Sequence, residues 1–199
     1  GAGAIGLVLA ARLARAGRDV CAFTRDAGAA EQIARDGIHV EEPETGAEWS
    51  ARLRAVARAP PAGTHPVFAC VRVPDAAALA ATLAPDAFVV NVQNGVEGDA
   101  VFAQRGLRVA GAVIRQGCTR VAPNRARALL PGRIAIGAYA GCGDGDLAPI
   151  AQMLRDAGYE VAVSPQIADD RWLKLCVNLM STPNALVRPE EHATRSFTE

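Results

Sequence analysis

GAGAIGLVLAARLARAG, residues 1–17, sets three glycines at the spacing GxGxxG and runs straight into an amphipathic helical string. In a dinucleotide site the first glycine permits a tight turn, the second lets backbone approach a pyrophosphate, and the third lets the helix pack closely on the sheet. The helix N-terminus then faces the phosphates. Ile5, Val8, Leu9 and Leu13 mark one helical face, and Gly17 stands where a C-cap belongs. The stretch predicts an α/β, Rossmann-type doubly wound sheet. The strand that should precede Gly1 is expected to be missing, leaving the central position of that sheet vacant.

Working outward, Asp19 to Phe23 predicts a short strand, and the residue at its end is the one that meets the adenosine ribose. NAD sites place Asp or Glu there; this chain has Thr24 and Arg25. Arg25 therefore points to NADPH, as partner of the 2′-phosphate, the plainer alternative being a solvated surface charge. Asp26 reads as the N-cap of a helix from Ala27 to Asp36 that Gly37 ends. Ile38 to Val40 suggests a short strand, and residues 48–58 fit either an edge strand or a helix. VFACVRV, residues 67–73, and AFVVNV, residues 87–92, are apolar runs typical of buried parallel strands, with a helix from Asp75 to Leu83 between them.

Ligands of an open α/β sheet bind beyond the carboxyl ends of the strands. Arg72 and Asn94 stand at two such ends, although Asn94-Gly95 also reads as a plain turn dipeptide. Further on, a strand is expected over Leu107 to Ile114. An antiparallel pair of Ala126 to Leu130 with Arg133 to Gly137 is expected around Pro131-Gly132. A helix over Leu147 to Ala157, a strand over Tyr159 to Val163 and a helical run from Asp169 complete the pattern.

That last run contains RWLKLCVN, residues 171–178, with the only lysine among 199 residues; Lys and Arg total 21, so the other twenty are arginine. Arginine keeps its proton at any workable pH, whereas a partly desolvated lysine can release one. Lys174 is thus a general-acid candidate, against the alternative of a surface lysine left by chance.

Composition narrows the classes. The chain is 50% hydrophobic, and its Lys+Arg 21 balance its Asp+Glu 21. A net charge of zero, with no basic run carrying interleaved aromatics, argues against nucleic acid as a partner. No apolar run approaches the ~20 residues of a membrane span, so no membrane association is expected and a cytoplasmic location follows by default. Five scattered cysteines read as reduced core thiols, and three distant histidines leave no metal site expected.

Taken in order, GAGAIG, Arg25, Arg72, VQNG at 92–95, Gly117 and RWLKLCVN resemble the ketopantoate reductase family, from residue 1 to about residue 188. The resemblance implies an N-terminal NADPH-binding Rossmann-type domain, here residues 1–166, followed by the start of an all-helical substrate and dimerisation domain, residues 167–199. It implies reduction of a branched 2-keto acid, ketopantoate, to pantoate, a step of pantothenate biosynthesis. Carried across residue by residue, it implies that Gly1, Ala2, Gly3, Ala4, Ile5 and Gly6 cradle the pyrophosphate and Arg25 binds the 2′-phosphate. Arg72, Asn94 and the backbone near Gly117 then meet the cofactor, and Lys174 is the proton donor. Asn178, at i+4 on the same helix face, joins Lys174 in binding substrate.

The chain departs from the pattern in places. Arg72 stands where the family has lysine, and Thr182 where a second substrate asparagine is expected, with Asn184 two residues late. The first strand and most of the helical domain are expected to be missing, so the chain reads as a fragment, inactive by itself. An apolar helix face exposed there favours self-association, with a homodimer through the helical domain. Two rivals stand beside the ketopantoate reading: a family reductase acting on another ketone, and a non-catalytic NADPH-binding or sensing module.

Overall fold

The computed structural model describes residues 1–57, 60–61, 63–129 and 132–179. Its elements run α1 (Ala4–Arg15), β1 (Cys21–Thr24), α2 (Ala27–Asp36), β2 (Ile38–Glu42), β3 (Ala47–Ala51), β4 (Arg54–Ala57) and β5 (Val67–Ala69). A 3₁₀ turn (Val73–Asp75) leads into α3 (Ala76–Ala80), β6 (Phe88–Asn91), α4 (Gly98–Ala103), β7 (Arg108–Arg115), β8 (Cys118–Ala122) and β9 (Arg125–Ala128). The chain continues through β10 (Arg133–Ala140), α5 (Asp144–Asp156), β11 (Glu160–Val163) and α6 (Ile167–Leu179).

Five strands form the main sheet in the order β11-β10-β7-β6-β5. β5, β6 and β7 are parallel, and β10 runs antiparallel to β7. Both faces are covered, which is why every residue of β6 is buried. Val90 faces Leu9 and Leu13 of α1 and Leu147, Ile150 and Leu154 of α5. Val89 faces the opposite layer, with Leu79 of α3 and Phe102 of α4. This is the doubly wound arrangement that the glycine motif predicts.

α1 is apolar on two sides and serves two layers. Leu9 and Leu13 pack toward the main sheet, whereas Leu7, Val8 and Ala11 pack on Ile38 and Val40 of β2 and Ala126 and Ala128 of β9. Those strands belong to a second sheet, ordered β3-β2-β9-β8. β1 pairs in parallel with β4 as a separate two-stranded unit. A cavity of about 490 Å³ lies between β1 and β5, lined by Leu9, Leu13, Phe23 and Phe68 among others.

Several expectations are met closely. α2 spans the predicted residues, with Asp26 Oδ1 accepting from Ala29 N at 3.0 Å and Gly37 at φ 78° ending it. Others are corrected. Residues 47–51 and 54–57 are strands, not helix, because β3 pairs antiparallel with β2 and buries Ala51 while β4 pairs in parallel with β1. The antiparallel pair around Pro131-Gly132 does not form. β9 lies under α1 and pairs with β2 and β8, while β10 carries Ile134 and Ile136 into the main core and pairs with β7 and β11. β5 is short because Cys70 turns away to back onto the glycine turn. Thr182, Asn184 and Pro131 lie outside the described residues. Among those described, no helix is long and apolar enough to cross a membrane.

Candidate active site

The glycine turn is built by exclusion. A Cβ at Gly6 would sit 1.9 Å from the Gly1 carbonyl oxygen, so only glycine closes this turn. At Gly1 a Cβ would meet Val71 Cγ1 at 2.7 Å, which sets the turn directly against the segment leading out of β5. Gly3 is the N-cap of α1, and its Cβ position approaches only the Cys70 carbonyl oxygen, at 4.0 Å. No side chain caps the helix and its first turn carries no acid. Its orphan N–H groups with their positive end of the helix dipole suit an anion such as a pyrophosphate.

Arg25 follows β1, and Arg72 and Asp75 follow β5, so all three stand beyond the carboxyl ends of parallel strands. Arg25 is not a free cation. Its Nη1 and Nη2 donate to Asp75 Oδ1 at 2.8 Å and Oδ2 at 3.2 Å, a bidentate pair. Arg72 Nε lies 3.9 Å from the same carboxylate, its side chain 88% exposed.

On the far side of the sheet's carboxyl rim, a cavity of about 710 Å³ is lined by Asn94, Ile114, Gln116, Lys174, Val177 and Asn178, among others. The structure thus brings Asn94, Lys174 and Asn178 together from two chain segments 80 residues apart. Lys174 Nζ donates to Asn94 Oδ1 at 2.6 Å and to the Ile114 carbonyl at 2.5 Å. An ammonium has three donors, so one remains for a ligand. Burial, with Arg171 and Arg115 adding to it, lowers the Lys174 pKa to about 8. Gly117 is next to Gln116 in sequence but does not line the cavity; a Cβ there would meet Leu129 Cδ1 at 2.7 Å.

Sequence reasoning missed the group that holds this cavity in shape. Arg171 is buried, and its Nε lies 2.5 Å from Oδ2 of the fully buried Asp99. Its Nη2 donates to Asp99 Oδ1 at 2.8 Å and to the Asn91 carbonyl at 2.7 Å; its Nη1 donates to the Gln93 carbonyl at 2.7 Å. One guanidinium therefore fixes the turn carrying Asn94 against the helix carrying Lys174. Gly111 of β7 makes room, since a Cβ there would come within 3.2 Å of Asp99 Oδ2 and 3.3 Å of Arg171 Nε. No local signal in the sequence marks this pair, because Arg171 is one arginine among twenty and its partner is 72 residues away.

By comparison with known proteins, the chain is similar to reductases. The family model for ketopantoate reductase PanE/ApbA matches residues 1–141. No curated protein matches the chain. Among solved structures, a 2-dehydropantoate 2-reductase from Methylococcus capsulatus superposes with a TM-score of 0.81 at 24% identity, over 98% of this chain and 66% of that one. A PanE/ApbA family ketopantoate reductase from Ralstonia eutropha JMP134 has a TM-score of 0.76 at 27% identity, over 89% of this chain and 59% of that one. D-mandelate dehydrogenase, solved with NADH and anilino(oxo)acetate, has a TM-score of 0.84 at 17% identity, over 99% of this chain and 67% of that one. At 24% and 17% identity these likenesses show a shared fold. The chain spans less than two thirds of the length of the two reductases.

Proposed function

The chain belongs to the ketopantoate reductase family, and from that premise we infer that the protein reduces a branched 2-keto acid, ketopantoate, with NADPH. The observation that carries this reading is the shared cavity of Asn94, Lys174 and Asn178, with the Lys174 amine half-buried and hydrogen-bonded on two sides. In this reading residues 1–166 form the cofactor domain, and the chain from residue 167 begins the substrate domain. Gly1 to Gly6 receive the pyrophosphate, with Arg25 and Arg72 at its adenosine end. Asn94 and the backbone near Gly117 take the nicotinamide half.

Held by the glycine turn, Arg25 and Asn94, NADPH would supply a hydride for the keto carbon. The chain's own residues manage the oxygen. Lys174 directs its remaining N–H at the carbonyl oxygen, stabilises the negative charge that develops there, and delivers the proton that completes the hydroxyl. Asn94 and the Ile114 carbonyl keep the ammonium in place, so little reorganisation accompanies the reaction. Asn178, one turn beyond Lys174, hydrogen-bonds the substrate and fixes its face.

The test is loss of reduced-nicotinamide absorbance by the full-length protein with ketopantoate beside a panel of other 2-keto acids. Turnover is expected to be greatest on ketopantoate. Lys174→Ala is expected to lower kcat by roughly 10²–10⁴-fold while NADPH affinity stays nearly unchanged. Near-native turnover in that variant would remove Lys174 from the mechanism, and NADPH binding with no turnover on any acid would favour a sensor.

A further inference from the structure

The cation assigned to the 2′-phosphate already has an anion on it. Arg25 presents its guanidinium fork to Asp75, one nitrogen on each oxygen, and Arg72 Nε lies 3.9 Å from Oδ2 of the same carboxylate. Asp75 is the least exposed of the three, its side chain at 23% against 71% for Arg25 and 88% for Arg72. It sits in the 3₁₀ turn, where its backbone N–H donates to the Arg72 carbonyl at 2.9 Å, so the backbone that carries the carboxylate is fixed while the arginines reach toward it. Val71, next to Arg72 in the chain, lies against Gly1 of the glycine turn.

A phosphate monoester binds arginine best through the same two-pronged face that Asp75 occupies. It must displace the carboxylate or share the cation with it, against like-charge repulsion. A ribose 2′-hydroxyl meets no such obstacle, because it can donate its hydrogen to a carboxylate, the mode by which acidic residues select NAD. We propose that Asp75 sets the cofactor preference: clamped on Arg25, it holds down affinity for a 2′-phosphate and lets the same end of the cleft accept a free 2′-hydroxyl. This rests on the assignment of the glycine turn and Arg25 to a nicotinamide dinucleotide, and adds to it that the selection is opposed from within.

The experiment measures equilibrium binding of NADPH, NADH, 2′,5′-ADP and 5′-ADP to the full-length protein, to Asp75→Asn, to Arg25→Ala and to the double variant. Asparagine keeps the shape and removes the charge. NADPH and 2′,5′-ADP are expected to tighten about three- to tenfold in Asp75→Asn, with NADH and 5′-ADP unchanged or weaker. The gain should vanish in the Arg25→Ala background, because Asp75 acts through Arg25. An unchanged NADPH-to-NADH ratio, with both bound by the unaltered protein, overturns the role of Asp75 and leaves the reductase reading standing. Failure of the unaltered protein to bind either dinucleotide overturns both.

Discussion

Lys174 carries its proton under tension between two demands. Desolvation and two nearby arginines push its pKa down to about 8 from the 10.5 of a free side chain, while the acid role proposed for it needs the proton present. The direction of the pH effect follows. Below about pH 8 the donor is loaded, and above it the loaded fraction falls tenfold per unit, where an ordinary lysine would hold its proton to beyond pH 10. The rate of ketone reduction at saturating cofactor is expected to decline with a midpoint near pH 8; a flat profile up to pH 10 would exclude Lys174 as the titrating acid. This residue was legible in the sequence because lysine is unique there, and Asn178 because it lies one helical turn away. Arg25 was legible from its place after β1, but not its pairing, since Asp75 lies 50 residues on and only folding brings the two together.

At the scale of elements, a buried ion pair joins α6 to the β6–α4 turn, beside the Lys174–Asn94 hydrogen bond and the Arg171 bonds to backbone carbonyls. Asp99 also accepts from Asn91 Nδ2 at 2.8 Å, so removing its charge leaves Arg171 buried without compensation. Asp99→Asn is expected to cost about 3–5 kcal/mol of stability, as breaking a buried pair from one side does, read as a lower urea midpoint. A loss under about 1 kcal/mol would show that backbone carbonyls alone satisfy Arg171. Elements with punctuation at both ends were readable in advance, α2 above all, with Asp26 before it and Gly37 after it. α4 was missed because six residues after a glycine-rich turn carry no clear period. The pairing of β9 with β10 was misread because Pro131-Gly132 is a strong local turn signal, whereas strand partners are chosen by burial: β9 beneath α1, β10 in the main core. Local chemistry names turns well and long-range pairing poorly.

For the molecule as a whole, the doubly wound plan was visible in the alternation of glycine turn, helices and apolar strands. The second sheet, β3-β2-β9-β8, was not, since its strands come from two places in the sequence, before β5 and between β7 and β10. The two sheets meet across α1, whose opposite sides enter different cores, so a single helix registers the glycine turn against both. The cleft mouth also carries the one ε-amine in 199 residues, fixed between Asn94 and Ile114. Reductive methylation with ¹³C-formaldehyde would therefore label one side chain, besides the α-amine, as a tertiary amine that can still take up a proton. Its NMR resonance is expected to titrate with a midpoint well below that of a free lysine and to shift when a keto acid enters, while a midpoint near 10.5 would mean a solvated amine. Arginine at the other twenty basic positions makes every other side chain here silent to this chemistry, leaving the amine between Asn94 and Ile114 and the chain's α-amine as the groups that answer.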